Sequence, residues 1–214
     1  MPHYIHRLLK AALMTLALSF ASMPLAMLVG LIVAIGRLYG PWWIRAPFEA
    51  YVEILRGTPL LLQLYVLYYV APQLVGVSPP EFLTGVLALA INYSAYEAEN
   101  YRAGLTAIPK GQMEAALSLG MSTPTALRRV IVPQAVKIVI PPVTNDFIAL
   151  FKDTSIVSMI AVTELTAEYR ALTTSHMQLM LEFGAMTALL YMAMSYPLSI
   201  IARRLETRFK KVTH

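Results

Sequence analysis

The stretch KGQMEAALSLGMSTPTALRRVIVP, residues 110–133, decides the fold of this chain, because it is a polar, amphipathic segment set between strongly apolar runs. Its first part, residues 110–119, predicts a short helix that carries Met113 and Ala116 on an apolar face and Glu114 on a polar one. Those apolar runs are long enough to cross a bilayer, so we expect this helix to lie outside the membrane and to contact another molecule.

The end of that helix and the start of the next are marked by residues suited to each position. Gly120 fits the C-terminal cap, where a positive φ costs little without a Cβ atom. Ser122 or Thr123 can cap the following helix, and Pro124 fits its first turn. The segment is therefore predicted to be helix, sharp turn, helix.

The composition indicates a membrane protein. Of 214 residues, 57% are hydrophobic and 14% are charged, whereas an average soluble domain has about 25% charged residues. Residues 11–36, 57–80 and 183–202 contain no Asp, Glu, Lys or Arg. About 20 predominantly apolar residues suffice for a helix to span the hydrocarbon core.

We predict an all-α membrane protein with one transmembrane domain, residues 1–214, and no soluble domain. Two further apolar runs are interrupted by charge, so five spans are expected. Their approximate ranges are 11–36, 57–77, 81–101, 131–151 and 181–202. Pro141 and Pro142 should bend or break the fourth span, and residues 152–176 form an outer segment too polar to cross.

The basic residues predict the orientation. With the N-terminus outside and five spans, 13 of the 17 Lys and Arg residues are cytoplasmic, which is the usual asymmetry of membrane proteins. The outer segments then hold only Arg7, Lys10, Lys152 and Arg170. The cytoplasmic ones are Arg37, Arg45, Arg56, Arg102, Lys110, Arg128, Arg129, Lys137, Arg203, Arg204, Arg208, Lys210 and Lys211.

A short surface helix is expected before the second span, because Phe48, Tyr51, Val52 and Leu55 recur at helical spacing. The following stretch, Arg56-Gly57-Thr58-Pro59, predicts a helix junction. Gly57 ends the first helix, Thr58 caps the second and Pro59 occupies its first position.

Ionisable residues inside the predicted spans are candidate binding groups. Asn92, Tyr96, Glu99 and Arg102 follow each other at spacings of three or four, so they share one face of the third span. Because charge facing lipid is costly, this face should line protein or a water-filled pathway. Alternatively, Glu99 and Arg102 pair with each other as a structural link.

The fourth span and its end add two acids, Asp146 and Asp153, to this set of candidates. A cavity with Arg102 and Glu99 would offer a solute one group of each sign.

Four other titratable residues have weaker assignments. Glu97 lies on a different side of the third span, where it serves either cationic substrates or a contact with a second subunit. Glu164 and Glu168 either contact a substrate-delivering protein or lie on a solvated face, which is the commoner situation. His176 is isolated, and we assign it no ligand role.

The loop resembles the cytoplasmic signature (the EAA loop) of ABC importer membrane subunits. The matching residues are Glu114, Ala115, Ala116, Gly120, Ile131 and Pro133. Val132 departs from the pattern mildly, because Leu commonly precedes the proline. The resemblance implies a type I importer fold in which residues 109–127 form the coupling loop, and Glu114, Ala115, Ala116 and Gly120 dock into a groove of the ATPase.

Three further stretches are similar to polar amino-acid permeases of this class, such as those for histidine, glutamine, arginine and cystine. They are Arg56 to Pro59, Asn92-x-x-Ala95-Tyr96-x-x-Glu99, and Lys152-Asp153-Thr154-Ser155, so the resemblance covers about residues 11–205. It implies substrate-binding roles for Asn92, Tyr96, Glu99, Arg102, Asp146 and Asp153.

The resemblance also implies the partners. A pair of ATPase subunits carries ATP and Mg²⁺, a second permease subunit (identical or paralogous) completes the pathway, and an extracytoplasmic binding protein delivers an amino acid to the inner membrane of a prokaryote. This chain has no phosphate-binding loop, since Lys110-Gly111 lacks the upstream glycine and the following hydroxyl. It is therefore expected to be a transport subunit that has no cofactor of its own and is not an enzyme.

Three alternatives remain open. The first is an ABC permease whose cargo is another small polar solute, such as an opine or an organic acid. A membrane enzyme would need clustered His, Asp or Glu at the surface, and none is evident. A secondary transporter usually shows internal repeats and more spans. Nucleic acid is not an expected partner, because the positive charge follows the topology, and the absence of cysteine excludes thiolate chemistry.

Overall fold

The computed structural model describes residues 2–210 of the chain. Met1 and residues 211–214, which include the basic Lys211 and the end of the predicted domain, lie outside the described part. The described residues form helices joined by short turns, with no strand. The helices are α1 Pro2–Tyr39, α2 Trp42–Gly57, α3 Leu60–Tyr65, α4 Ala71–Val75, α5 Glu81–Thr106, α6 Lys110–Ser118, α7 Thr123–Ala126, α8 Val132–Asp153, α9 Leu165–Ser175 and α10 Met180–Lys210.

Short stretches of π-helix and 3₁₀ helix connect or extend some of these α-helices. The turns Val66–Val70 and Leu127–Ile131 are π-helical, and they join α3 to α4 and α7 to α8. The segment Thr154–Ile160 is a 3₁₀ helix directly after α8. As a result, the chain runs helically from Leu60 to Val75 and from Thr123 to Ile160.

Two helices in the described part are long and apolar enough to cross a membrane by themselves, His3–Tyr39 and Met177–Arg208. A third span is obtained if α2 and the segment Leu60–Val75, which meet at 109°, are taken together. Polar residues such as Asn92 in α5 and Asp146 in α8 make those helices less apolar. The five-span arrangement therefore stays a prediction.

The central helix of the bundle is α5, which packs against α1, α2, α3 and α8. A Cβ atom on Gly30 of α1 would lie 2.7 Å from the Cβ of Glu97 and 2.9 Å from the carbonyl oxygen of Ser94. Glycine at this position therefore lets α1 and α5 approach closely. The same two helices meet again where Leu18, Val86 and Leu89 share one buried cluster.

The side-chain contacts give the helix directions. Residues 18 and 30 of α1 lie level with residues 85 and 97 of α5, so these helices run parallel. In contrast, α8 is antiparallel to α5, since Asn100 bonds to Asp146 and Tyr93 to Asp153. The last helix, α10, is antiparallel to α8, because Glu206 contacts Asn145 and Tyr191 packs against Phe151 with ring centres 6.0 Å apart.

Three local expectations are corrected. First, α8 continues through Pro141 and Pro142 without a break. A proline inside a helix costs about 3 kcal/mol, and the contacts of α8 with α5 and α10 hold it in place. Second, the Thr58 hydroxyl donates to the Ile54 carbonyl at 2.7 Å, so it closes α2 and does not cap α3.

The third correction concerns the segment after α8. Val157 and Ile160 are each 1% exposed and belong to the same core cluster as Leu18 and Leu89. Residues 154–160 therefore pack inside the bundle and are not part of a polar outer segment. The polar stretch begins later, with α9.

Candidate coupling loop and transport pathway

The α6–α7 loop has a fixed, well-capped geometry. Gly120 adopts a φ of 79°. Its N–H donates to the carbonyl of Leu117 at 2.9 Å, and the N–H of Met121 donates to the carbonyl of Ala116 at 3.2 Å. These two bonds form a Schellman motif, which satisfies the last carbonyls of α6. The predicted C-terminal cap at Gly120 is confirmed.

The second helix of the loop, α7, has the predicted backbone geometry at its start, but the predicted side-chain cap is not formed. Ser122 occupies the N-cap position with extended backbone angles, and Pro124 lies in the first turn of α7. The Ser122 hydroxyl, however, lies 2.9 Å from the hydroxyl of Thr125 and does not bond to the backbone.

The candidate coupling residues fall on two sides of α6. Glu114, Ala115 and Gly120 are exposed, whereas Ala116 is 3% exposed. Ala116 therefore packs within its own loop, together with the fully buried Ala126.

Two leucines on the same loop were not among the sequence-based docking residues. Leu117 is 43% exposed and Leu119 is 79% exposed. Both lie within three residues of Gly120. Apolar residues this close to a glycine with a predicted positive φ are the sequence feature that could have identified them as docking residues. Together with Glu114 they form the coupling surface, which we define as Glu114, Leu117 and Leu119.

Asn92 is buried and bonded to a residue that sequence reasoning missed. Its amide donates to the side-chain oxygen of Gln63 at 3.0 Å. The Gln63 amide in turn donates to the carbonyls of Leu55, at 2.8 Å, and Thr58, at 3.2 Å. Gln63 thereby satisfies the backbone at the bend between α2 and α3, and Asn92 holds it there.

Glu99 joins two helices through two arginines. Arg102 of the same helix donates to both carboxylate oxygens from Nε at 3.1 Å, and its second nitrogen also contacts Glu99. Arg37 of α1 donates to Glu99 at 3.0 Å. Thus the pairing of Glu99 with Arg102 is present, and Arg37 is an additional member of the cluster.

The two acids of the fourth predicted span both face α5. Asp146 accepts a hydrogen bond from the Asn100 amide at 2.7 Å, and Asp153 accepts one from the Tyr93 hydroxyl at 2.8 Å. These acids are therefore brought to the same helix as Asn92 and Glu99, but each has a protein partner.

Tyr96 is the most accessible aromatic residue on this face, with 36% of its surface exposed. The guanidinium of Arg56 lies 5.4 Å from its ring centre, within the range of a cation–π contact. Arg56 itself is exposed. The sequence analysis used Arg56 only as part of a helix junction, so its place beside the candidate pathway was missed.

Glu97 faces neither a pathway nor a second subunit. It is 0% exposed. Its side chain packs against Gly30 of α1. Both surface roles expected for Glu97 are wrong, because the close approach of α1 buries this side of α5.

Glu164 and Glu168 are also buried, so the expected solvated face is wrong. Glu164 accepts hydrogen bonds from the Ala167 N–H, at 2.7 Å, and the Tyr191 hydroxyl, at 2.8 Å. Burial raises the pKa of Glu164 above its ordinary value, and these bonds partly offset that effect. Glu168 pairs with Arg7 of α1 at 2.6 Å. Both acids hold α9 in place.

His176 likewise joins two helices, since its Nε2 atom lies 3.0 Å from the hydroxyl of Tyr4. In the part of the chain that the structure describes, no group of three or more His, Asp or Glu residues is arranged to hold a metal ion.

A bundle of apolar helices that carries an exposed, capped helix–turn–helix is consistent with the predicted membrane subunit and its docking loop. A family model described as "Binding-protein-dependent transport system inner membrane component" matches residues 26–211, and the chain belongs to this family. The sequence-based recognition of an ABC permease subunit, with no enzymatic role of its own, is confirmed.

Curated relatives carry the names of amino-acid permeases. The L-cystine transport system permease protein TcyB of Bacillus subtilis (strain 168) is 36% identical over 197 residues, covering 92% of this chain and 84% of the relative. The glutamine transport system permease protein GlnP of Escherichia coli (strain K12) is 34% identical over 206 residues, covering 95% and 93%.

Solved structures show the same fold. The crystal structure of an amino acid ABC transporter with histidines contains a chain that is 38% identical, with a TM-score of 0.89 and coverage of 97% and 96%. An inward-facing MetNI methionine ABC transporter is 20% identical, with a TM-score of 0.70 and coverage of 92% and 95%. The all-α, type I importer permease fold predicted from the sequence is confirmed.

Proposed function

We propose that this chain is the transmembrane subunit of an ATP-driven importer for a polar or charged amino acid. The observation that carries the proposal is the coupling surface, which presents Glu114, Leu117 and Leu119 on a rigidly capped helix. An exposed carboxylate flanked by two exposed leucines is suited to a groove with one basic and one apolar contact. The partner would be a pair of ATPase subunits, as the membership of a binding-protein-dependent transport family implies.

The amino-acid cargo is supported by the names of the relatives and by the charges on α5. Of the six candidate residues, Asn92, Asp146 and Asp153 have protein partners and serve to shape the pathway. Tyr96 is exposed, and Glu99 and Arg102 are part-exposed and pair with each other, with Arg37 as a second partner of Glu99. Tyr96, Glu99 and Arg102 are the groups that would meet the carboxylate and ammonium groups of the substrate.

The chain would cross the inner membrane five times, with its N-terminus outside and its C-terminus in the cytoplasm. The helix directions support this topology, because α1 and α5 run parallel while α8 runs against them, as alternating spans require. One detail of the orientation argument changes. Asp153, next to Lys152, bonds to Tyr93 in the middle of α5, so Lys152 would lie deeper in the bundle than a surface loop residue.

Two permease subunits would enclose the pathway, and an extracytoplasmic binding protein would deliver the cargo to it. The test is uptake in proteoliposomes that contain the permease, its ATPase and its binding protein. We expect ATP-dependent accumulation of one polar amino acid. Accumulation of an opine or an organic acid alone would replace the cargo, and transport without ATP would refute the importer class.

A further inference from the structure

Arg56, at the end of α2, lies beside the candidate pathway without an ion-pair partner among the described residues. Its guanidinium is 5.4 Å from the ring centre of Tyr96, and its side chain is exposed. By contrast, the arginines Arg37 and Arg102 both pair with Glu99. Arg56 therefore has hydrogen-bond donors available for an anionic group of a ligand.

Hydrogen bonds on both sides of Arg56 fix its place in the fold. The Gln63 amide donates to the carbonyls of Leu55, at 2.8 Å, and of Thr58, at 3.2 Å. Asn92 of α5 donates to Gln63 at 3.0 Å and so ties this network to the pathway helix. The backbone is thus held just before and just after Arg56, at the 109° bend that follows α2.

A carboxylate lies one helical turn further along the same face of α5. Tyr96 and Asn100 are four residues apart, so they share this face and differ by about 6 Å along the helix axis. Asn100 donates to Asp146 at 2.7 Å. Asp146 is within electrostatic reach of Arg56, although no ion pair joins the two. The face therefore presents a guanidinium and a carboxylate that are close but do not touch.

This arrangement suits a small ligand with one charge of each sign. The ammonium and carboxylate groups of an amino acid are attached to the same carbon, so one molecule can face both Arg56 and Asp146. A purely anionic ligand would be repelled by Asp146, and a purely cationic one by Arg56. Hydrocarbon is an unfavourable neighbour for this face, because a guanidinium in contact with lipid tails is costly.

We propose that Arg56 binds the carboxylate of the amino-acid cargo, with the ammonium group of the cargo turned toward Asp146. A guanidinium presents a planar fork of donors that matches a carboxylate with two parallel hydrogen bonds. The ring of Tyr96 supports that plane from one side. The inference rests on the proposed function and adds Arg56 to the groups named there. A purely structural role would instead be stabilisation of the C-terminal end of α2 by its positive charge.

The test is direct binding to the purified permease–ATPase complex without the binding protein, so that the pathway alone selects the ligand. The complex is incubated with a millimolar mixture of the common amino acids and their α-carboxamides, and mass spectrometry identifies the retained molecules. We expect the wild type to retain an amino acid in preference to its carboxamide. Arg56→Gln should reduce this retention about ten-fold or more, because a hydrogen bond to a charged group is lost. The preference over the carboxamide should disappear as well.

Two further variants make the result specific. Arg45→Gln is the matched control, because Arg45 is another exposed arginine of α2 and pairs with Glu49. It should leave retention unchanged. Asp146→Asn preserves an acceptor for Asn100 and removes the negative charge. It should weaken retention and keep the preference for the free carboxylate. Melting temperatures and co-purification of the ATPase and of the second permease subunit establish that each variant is assembled.

Retention by Arg56→Gln at the wild-type level, or with an unchanged preference for the carboxylate, would overturn the inference. Loss of assembly in Arg56→Gln would also overturn it, since Arg56 would then be a subunit contact. If the wild-type complex retained no amino acid, the site would be refuted. ATP-dependent uptake by the same preparation with its binding protein in proteoliposomes would still uphold the proposed function, so the two failures are distinguishable.

Discussion

Arg37 of α1 and Glu99 of α5 form an ion pair with a nitrogen–oxygen distance of 3.0 Å, although they are separated by 62 residues in the chain. The side chain of Arg37 is 11% exposed, and that of Arg102, which shares the same carboxylate, is 37% exposed. The buried pair therefore links the helices, while the outer arginine is the one that a solute can reach.

This difference predicts that Arg102→Ala reduces uptake while the complex still assembles. A hydrogen bond to a charged group contributes about 1.5–3 kcal/mol, so transport should fall by about ten-fold or more. Uptake in proteoliposomes and size-exclusion chromatography measure the two properties. Arg45→Ala is the control, because its exposed pair with Glu49 should matter little. Uptake at the wild-type level would make Arg102 a structural residue.

Glu114→Lys should abolish association with the ATPase without affecting insertion in the membrane. The substitution reverses the only carboxylate of the coupling surface. Co-purification of a tagged ATPase measures the effect. Glu81→Lys makes the same charge change at the exposed start of α5, and it should leave association intact. Equal recovery of the ATPase with Glu114→Lys would remove the docking role.

Gly120→Val should weaken the same association through the backbone. A Cβ-bearing residue at a φ of 79° is strained by about 1–2 kcal/mol, and the Schellman motif would open. Gly111→Val is the matched control, since Gly111 lies in the first turn of α6 and, like Gly120, has open space around it. ATPase recovery should fall only for the Gly120 variant; a similar fall in both would point to the added side chain rather than to the turn.

Glu164 predicts a pH dependence of stability. Burial raises its pKa in the folded state, so the folded protein holds this proton more strongly than the unfolded one. Its contribution is therefore present below the ordinary pKa and is lost as the pH rises through the raised value. Glu164→Gln keeps an acceptor oxygen and removes the charge.

The difference in melting temperature between Glu164→Gln and the wild type should thus become more favourable to the variant as the pH rises above about 4, the ordinary pKa of a glutamate. Melting curves in detergent measure this difference. Glu182→Gln, at an exposed position in the first turn of α10, should show no such trend. A constant difference for Glu164→Gln would show that the carboxyl group titrates alike in both states.

The proposed topology predicts the location of two reporter fusions. A reporter fused after His214 should lie in the cytoplasm, and one inserted at Ser78 should lie outside the membrane. Alkaline phosphatase and green fluorescent protein fusions distinguish the two sides. The opposite pattern would place the coupling surface outside the cell and contradict its role.

The parts of this molecule that local chemistry determines could be predicted from sequence. The α6–turn–α7 loop is an example, because a positive φ at Gly120 and a proline at the start of α7 act within a few residues. The helix α2 was also predicted, since the apolar spacing that buries Val52 is visible in the chain.

The errors arose where a distant partner decides the environment of a residue. Glu97 is buried because Gly30 allows α1 to approach, and nothing near Glu97 in the sequence indicates this. Glu164 is buried by Tyr191 of α10 in the same way. Likewise, residues 154–160 were expected in a polar outer segment because their contacts with α1 and α5 inside the bundle could not be foreseen.

The length of α1 has a mechanical consequence. Its 38 residues form one continuous helix of about 57 Å with Pro24 inside it, and the helix is joined near one end to Glu168 and near the other to Glu99. A rotation of about 5° about the first of these contacts would move the opposite end by about 4 Å. In the proposed topology, a rearrangement of the charged cluster at the cytoplasmic end would therefore be transmitted along α1 to the outer end of the bundle.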